Sequence, residues 1–241
     1  MARLLFVSDL HLSPQRPLLL ERFAALLERE AGRCGGLYIL GDLFDAWIGD
    51  DDPSPFASQV RALLARFSAA TPAFFLRGNR DFMVGERFAD ETGLRLLPDE
   101  HRLEVGERRL LLMHGDQLCT NDVEYQQVRA LVRTPRFREE AMRKGIEERR
   151  ALAAEYRRRS GESLSLKADD IMDVAPEAVV RALREAGADL LVHGHTHRPA
   201  IHRLRLDGTP AQRVVLPDWR EEEPRLGFWL ESGKQGWLRM A

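Results

Sequence analysis

The sequence predicts an α/β fold, because short apolar segments alternate with amphipathic stretches along the chain. A second observation supports this fold: motifs rich in glycine, aspartate and histidine directly follow the apolar segments, as ligand-binding loops follow strands in α/β proteins. The candidate strands are Leu4 to Val7, Leu37 to Leu40, Phe74 to Leu76, Leu110 to Met113, Leu190 to Val192 and Val214 to Leu216.

Four amphipathic stretches are candidate helices. In the first, Leu19, Phe23 and Leu26 recur at helical spacing, and Gly32 follows as a stop signal. The last begins with Pro176 and ends before Gly187, the order of proline and glycine that helices favour. The stretches are roughly Pro17 to Ala31, Pro55 to Ala69, Asp122 to Val132 and Pro176 to Ala186.

The composition is that of an ordinary globular protein: of 241 residues, 44% are hydrophobic and 31% are charged. The formal net charge of −2 argues against a nucleic-acid-binding protein that depends on broad positive charge. No apolar run approaches the ~20 residues of a membrane span, and Asp9 comes too early for the core of a signal peptide. Cys34 and Cys119, the only cysteines, suggest buried free thiols in a reducing cytoplasm and no disulfide framework.

Residues 133–159 differ from the rest, with ten Lys or Arg residues against five Glu. Three pairs of opposite charge are spaced four residues apart, among them Glu139 and Arg143, which favours a helix. We therefore predict a single domain over residues 1–241 with a basic helical insertion at about 122–170. Such a composition is typical of a solvated helix face, but the position of the segment before the last polar motif favours a cap over an anionic substrate.

Five polar motifs carry the residues expected to perform chemistry, and each follows a candidate strand. If these strands are neighbours, the motifs converge on one crevice at the strand ends. Carboxylate and imidazole groups suit Mn²⁺, Fe or Zn²⁺, and a carboxylate such as Asp42 can bridge two cations ~3.5–4 Å apart. The motifs are Ser8-Asp9-Leu10-His11, Gly41-Asp42, Gly78-Asn79-Arg80-Asp81, His114-Gly115-Asp116 and His193-Gly194-His195-Thr196-His197.

The spacing within the motifs predicts how the ligands are oriented. Asp9 and His11 are two residues apart, so on a strand both side chains would point to the same face, and the last two histidines of the final motif follow the same rule. A lone Asp-x-His is weak support for a metal site, but five motifs in this order favour one. His101 and His202 lie outside the motifs and are expected to be ordinary surface or edge residues.

This series of motifs resembles that of the calcineurin-like metallophosphoesterases. The resemblance implies a four-layer α/β/β/α sandwich with mixed sheets, and a catalytic site with two metal ions. It also implies which residues bind each ion, with one carboxylate that binds both ions. The first ion would be held by Asp9, His11, Asp42 and His197, and the second by Asp42, Asn79, His114 and His195.

A closer resemblance, to the UDP-2,3-diacylglucosamine hydrolases, covers nearly the whole chain. It implies two Mn²⁺ ions and hydrolysis of UDP-2,3-diacylglucosamine to UMP and 2,3-diacylglucosamine 1-phosphate in lipid A biosynthesis. It further implies peripheral contact with the cytoplasmic face of the inner membrane and a helical insertion that caps the site. The similar segments are Asp45 to Asp51, Gly78 to Phe82, Leu112 to Asp116, Cys119-Thr120, Ile171 to Val174 and His193 to Pro199.

The same resemblance implies a set of substrate contacts. Leu164 departs from the asparagine that some relatives have at this position, and the segment from Phe137 to Tyr156 is charged where several relatives are apolar. We expect a monomer that binds no nucleic acid. The implied substrate contacts are Asn79, Arg80, Asp122, Ser160, Leu164, Lys167 and His195.

Several of these residues have two interpretations. Arg80 would clamp the pyrophosphate with its planar guanidinium or else form a salt bridge with Asp81 or another surface acid. Asp116 and Asp218 would orient ligating imidazoles or serve as turn residues. His195 is assigned mainly as a ligand, because a metal-bound histidine is a poor general acid. The second candidate function is a soluble phosphodiesterase or nucleoside-diphosphate pyrophosphatase, which the charged insertion favours, whereas a non-catalytic scaffold would be expected to have lost ligands.

Overall fold

The computed structural model describes residues 3–166 and 173–240, with side chains described up to residue 158 and again from residue 173. The strands are β1 (Leu4–Val7), β2 (Gly36–Leu40), β3 (Ala73–Leu76), β4 (Arg95–Leu96), β5 (Glu100–Val105), β6 (Arg108–Met113), β7 (Leu190–His193), β8 (Ala200–Leu206), β9 (Thr209–Val215), β10 (Arg225–Glu231) and β11 (Lys234–Arg239). The helices are α1 (Pro17–Glu30), α2 (Pro55–Ser68), α3 (Glu86–Thr92), α4 (Val123–Val132), α5 (Pro135–Met142), α6 (Ile146–Leu166) and α7 (Pro176–Ala186).

These strands form two mixed sheets. The first has the order β11-β10-β1-β2-β3-β4, in which β1 to β4 run parallel and β10 is antiparallel to β1. The second has the order β5-β6-β7-β9-β8, with a parallel centre of β6, β7 and β9 and antiparallel edges. Because parallel strands end at the same edge of a sheet, the loops that follow them lie side by side.

Neighbouring residues of the central strands enter different layers, because side chains alternate between the two faces of a strand. Leu5 and Val7 pack with α1, α2 and α3, whereas Phe6 packs between the two sheets. In the second sheet, Leu112 faces the first sheet and Leu111 packs with α7. The layers therefore follow the order helices, sheet, sheet, helix, which confirms the expected α/β/β/α sandwich.

Local signals mark the ends of several helices, and the end of α7 at Gly187 agrees with its prediction. Ser54 caps α2, since its hydroxyl accepts the Ala57 N–H at 3.2 Å, and α7 ends at Gly187 with a φ of 63° that glycine tolerates best. The basic segment is also helical, as α5 and α6. Its status as an insertion within one domain stays a prediction. Among the described helices, none combines the length and apolar composition needed to cross a membrane.

Each predicted strand and helix corresponds to an observed one, with β9 beginning five residues before its predicted start. Sequence analysis missed α3 and five strands: β4, β5, β8, β10 and β11. The side chains of β5 and β8 are mostly exposed or half-buried, so these strands contain no apolar run to reveal them. His101 and His202 lie in these two strands, at the edges of the second sheet, as expected.

Candidate metal centre

The loops that follow the strands adopt an uncommon backbone conformation at the predicted ligands. In the described part of the chain, six non-glycine residues have φ between 47° and 70°, in the left-handed region. Residues with a Cβ avoid this region, at a cost of about 1–3 kcal/mol each, and such strain collects at functional sites. Five of the six are predicted metal ligands: Asp9, His11, Asp42, His195 and His197.

The prediction that Asp9 and His11 share an orientation because they lie on a strand was wrong. Strand β1 ends at Val7, and both residues lie in the loop beyond it, with φ of 54° and 47°. The last two histidines of the final motif likewise lie beyond the end of β7. Left-handed turns, and not strand alternation, direct each pair into the site.

Asp9, His11 and His197 form the first ligand group. The Nε2 atoms of His11 and His197 are 3.2 Å apart, and His197 Nε2 is 3.4 Å from Asp9 Oδ1. One ligand atom from each residue lies within 4.8 Å of the other two. Donors at these separations surround a space that suits bonds of about 2.0–2.2 Å to a metal ion.

Asn79, His114 and His195 form the second ligand group. Asn79 Oδ1 lies 2.9 Å from His114 Nε2 and 3.0 Å from His195 Nδ1. Asp42 connects the two groups, with Oδ1 3.7 Å from His114 Nε2 and Oδ2 3.9 Å from His11 Nδ1. The two carboxylate oxygens of Asp42 thus lie toward different groups, a position from which a carboxylate can bridge two cations. The two sheets therefore bring all seven predicted ligands together.

Asp81 fixes the loops on which the bridging residue depends, a role that sequence analysis missed. Its buried carboxylate accepts the N–H groups of Gly78 and Leu43, each at 2.7 Å. Asp42 Oδ1 accepts the Arg80 N–H at 2.8 Å. A Cβ on Gly78 would lie 2.0 Å from the same oxygen, so only glycine permits this approach.

The site places buried carboxylates beside imidazoles whose pKa values shift in opposite directions. Although burial opposes it, nearby carboxylates raise the pKa of His114 and His197. Burial raises the pKa of Asp42 to about 7. Burial also opposes ionisation of Asp9, but the hydrogen bond and charge of His197 hold the pKa of Asp9 well below its usual range. Burial lowers the pKa of His11 to about 3 and that of His195 to about 4. Their nitrogen lone pairs are therefore available to a cation at neutral pH.

Two buried atoms of the site are poorly satisfied within the described residues: Asp9 Oδ1 has only the long contact of 3.4 Å to His197 Nε2, and His11 Nδ1 has no hydrogen-bond partner. An unpaired buried polar group costs about 1–3 kcal/mol, which a bound cation would offset. The donors are carboxylate, imidazole and amide groups, a set that suits Mn²⁺, Fe or Zn²⁺. The residues present therefore fit divalent metal ions.

For three residues, Arg80, Asp116 and Asp218, the sequence allowed two interpretations, and the structure bears on each. The Arg80 guanidinium, half-buried, makes no hydrogen bond or ion pair within the described part of the chain, so the alternative pairing with Asp81 is not found. Asp218 Oδ2 lies 3.7 Å from His197 Nδ1, a position from which it can orient that ring. The orienting role considered for Asp116 was wrong, because its carboxylate accepts hydrogen bonds from α4 and none from an imidazole in the described residues.

The structure places only some of the expected substrate contacts. Asp122 caps α4, where its carboxylate accepts the Tyr125 N–H at 3.1 Å. Ser160 and Leu164 fall in α6, beyond the side chains that are described, and Lys167 lies outside the described residues. Their roles therefore stay predictions.

Four arginines of α5 and α6 are paired with the loop at residues 45–52. Arg149 donates to both oxygens of Asp51, at 2.7 and 2.6 Å, and is only 5% exposed. Ion pairs therefore hold α5 and α6 to the body of the protein, and they use part of the positive charge that the described side chains would otherwise offer to anions. The other pairs are Arg138–Asp50, Arg150–Asp52 and Arg157–Asp45.

Comparison with known proteins extends these findings. A family model described as calcineurin-like phosphoesterase matches residues 2–199. Curated relatives named UDP-2,3-diacylglucosamine hydrolase include one from Serratia proteamaculans, 46% identical over 219 residues, which are 90% of this chain and 91% of the relative. Another, from Escherichia coli O7:K1, is 47% identical over the same shares of both chains. A third, from Bordetella pertussis, is 46% identical over 95% of this chain and 91% of the relative.

A solved structure described as a novel archaeal phosphodiesterase is also similar. It has a TM-score of 0.50 and 12% sequence identity, and the match covers 99% of each chain. At this identity the similarity concerns the fold alone.

Proposed function

Because the chain belongs to the calcineurin-like phosphoesterases and, within them, to the UDP-2,3-diacylglucosamine hydrolases, we propose that it hydrolyses the pyrophosphate bond of UDP-2,3-diacylglucosamine. The products would be UMP and 2,3-diacylglucosamine 1-phosphate, in lipid A biosynthesis. The observation that carries this proposal is the position of Asp42 between two ligand groups, since a carboxylate shared by two cations is the basis of two-metal phosphoester hydrolysis.

The seven ligands would hold two divalent cations, which we assign as Mn²⁺. When bound, such cations lower the pKa of a coordinated water and offset the negative charge of the phosphoryl oxygens. Asp9, His11 and His197 would hold one ion, and the second ligand group would hold the other, with Asp42 between them. The low pKa values of His11 and His195 support this assignment for these two residues, because a protonated imidazole cannot bind a metal. Nearby carboxylates raise the pKa of His114 and His197, so a cation would compete with a proton at these two rings.

Arg80 is the proposed pyrophosphate-binding residue. Its backbone is fixed by the hydrogen bond to Asp42, while its guanidinium is free of protein partners among the described residues. A planar guanidinium matches two phosphate oxygens at once, which lysine cannot do. Further substrate contacts are proposed, on the resemblance alone, for Asn79, Asp122, Ser160, Leu164, Lys167 and His195.

We also propose that the insertion makes a peripheral contact with the inner membrane and caps the site. The chain would form a single domain and act as a monomer. Val123 is 63% exposed, Leu131 59% and Leu152 49%, so the insertion presents apolar side chains that a lipid could cover. A soluble phosphodiesterase is the weaker alternative. The charge of the insertion favoured this alternative, but residues such as Arg149 form ion pairs with other parts of the protein.

The proposal is tested by incubating the purified chain with Mn²⁺ and detergent-dispersed UDP-2,3-diacylglucosamine. We expect UMP and 2,3-diacylglucosamine 1-phosphate to appear together. UDP-N-acetylglucosamine, which carries the same pyrophosphate without acyl chains, serves as the matched substrate, and Asp42→Ala as the inactive control. Equal turnover of both substrates would favour the soluble alternative, and turnover of neither would overturn the proposal.

A further inference from the structure

Helix α4 directs polar side chains toward the protein, contrary to the usual packing of a surface helix. Tyr125, Arg129 and Arg133 recur at intervals of four residues, so they lie on one side of the helix, and all three reach Asp116. Val123 is 63% exposed, and no residue of α4 is buried. Polar contacts, and not apolar burial, therefore hold this helix in place.

The contacts of α4 converge on one fully buried carboxylate. Asp116 Oδ2 accepts hydrogen bonds from the Tyr125 hydroxyl and from Arg129 Nε, both at 2.8 Å, and the Arg133 guanidinium lies 3.5 Å away. The backbone oxygen of Asp116 accepts a further bond from Gln126 Nε2 at 2.9 Å. We refer to Asp116, Tyr125, Arg129 and Arg133 as the Asp116 cluster.

The Asp116 cluster also joins loops from the two sheets. Asp116 follows β6 of the second sheet, whereas Arg133 donates at 3.0 Å to the oxygen of Gly78, which follows β3 of the first sheet. Arg129 and Arg133 both donate to Asp99, at 2.8 and 3.0 Å. Helix α4 thus bridges two of the three loops that carry the second ligand group, those of Asn79 and His114.

We propose that Asp116 is a positioning residue for the substrate, which acts by fixing α4 across these loops. The first turn of α4 follows Asp122, a proposed substrate contact, and the Tyr125 ring lies 5.9 Å from the His195 ring. Displacement of α4 would move both groups relative to the metal ligands. This inference rests on the proposed function, and it assigns the Asp116 cluster mainly to substrate binding.

Asp116→Asn tests this role, because asparagine keeps the size of the side chain but removes the charge that holds two arginines. For the Mn²⁺-loaded protein with UDP-2,3-diacylglucosamine, we expect KM to rise about tenfold or more, the equivalent of one charged hydrogen bond, with a much smaller change in kcat. Hydrogen exchange should become faster in α4. Arg129→Met should act in the same way, and the double variant should not exceed the sum of the single effects, since both break one cluster.

The matched control is Asp189→Asn, which removes another arginine–aspartate pair, with Arg108, before β7 and away from the strand ends that carry the site. It should leave KM and α4 exchange unchanged. A fall in kcat with loss of Mn²⁺ in Asp116→Asn would overturn the proposal, because Asp116 would then act on the metal ligands. Unchanged KM and unchanged hydrogen exchange in α4 would also overturn the proposal, because the Asp116 cluster would then have no role in positioning the substrate.

Hydrogen exchange separates this inference from the proposed function. If the parent protein does not cleave the lipid substrate, the proposed function fails, but exchange in α4 still shows whether Asp116 fixes the helix. If Asp116→Asn does not fold, as judged by circular dichroism, Arg129→Met supplies the same test from the solvent side of the cluster. Unchanged α4 exchange in that variant would contradict the proposal.

Discussion

His11 Nε2 and His197 Nε2 face each other at 3.2 Å, although 186 residues separate them in the chain. Both residues reach this position from left-handed turns, with φ of 47° and 54°. Burial lowers the pKa of His11 to about 3, so its ring is neutral at physiological pH. A strained backbone that brings two nitrogen ligands together beside Asp9 is well suited to binding a metal ion.

Asp42→Ala should nearly abolish turnover while the fold stays largely intact. The carboxylate faces both ligand groups, so its loss should affect both cations together. We expect less than about a tenth of the parent activity at saturating Mn²⁺, with an unchanged far-ultraviolet circular dichroism spectrum. Retention of more activity than this would contradict the bridging role.

Asp42→Asn should stabilise the metal-free protein at high pH. Burial raises the pKa of Asp42 from 3.8 to about 7, so the folded metal-free protein loses stability as the pH rises between these values. Asparagine carries no charge and avoids this loss. Urea unfolding in a chelator should therefore show a higher free energy of unfolding for the variant at pH 8, and a smaller difference at pH 5. A difference that does not depend on pH would contradict the effect of burial.

Arg80→Met should lower kcat/KM for the pyrophosphate substrate by about 10- to 150-fold, the equivalent of about 1.5–3 kcal/mol for a charged hydrogen bond. Arg80→Lys should recover only part of this loss, because lysine lacks the planar fork. Arg203→Met, on the exposed edge strand β8, is the matched control and should have little effect. Metal content should not change in any of the three variants. Full activity of Arg80→Met would remove Arg80 from the substrate site.

The sequence predicted most of the buried framework and the identity of the candidate ligands. Strands such as β1 and β6 are buried on both faces, so their apolar runs are clear in the sequence. The orientation of Asp9 and His11 was not predictable from spacing, because left-handed turns replace the strand that the argument assumed. Strand β8 was not predicted because its side chains are exposed or half-buried, so its sequence contains no continuous apolar run.

Ion pairs and hydrogen bonds between residues far apart in the chain were also not predictable from the sequence pattern. The composition of the basic segment is typical of a solvated helix face, but Arg149 is buried and paired with Asp51, 98 residues earlier in the chain. Asp116 belongs to a ligand motif, and its position suggested an orienting role, whereas its partners come from the face of α4. Such pairs depend on tertiary packing, which periodicity and spacing do not encode.

The central claim, that Asp42 lies between two metal ions, is tested most directly by anomalous diffraction from crystals of the Mn²⁺-loaded protein. We expect two anomalous peaks about 3.5–4 Å apart, one beside Asp9, His11 and His197 and the other beside the second ligand group, with Asp42 in contact with both. A single peak, with Asn79 and His114 uncoordinated, would contradict the two-metal centre.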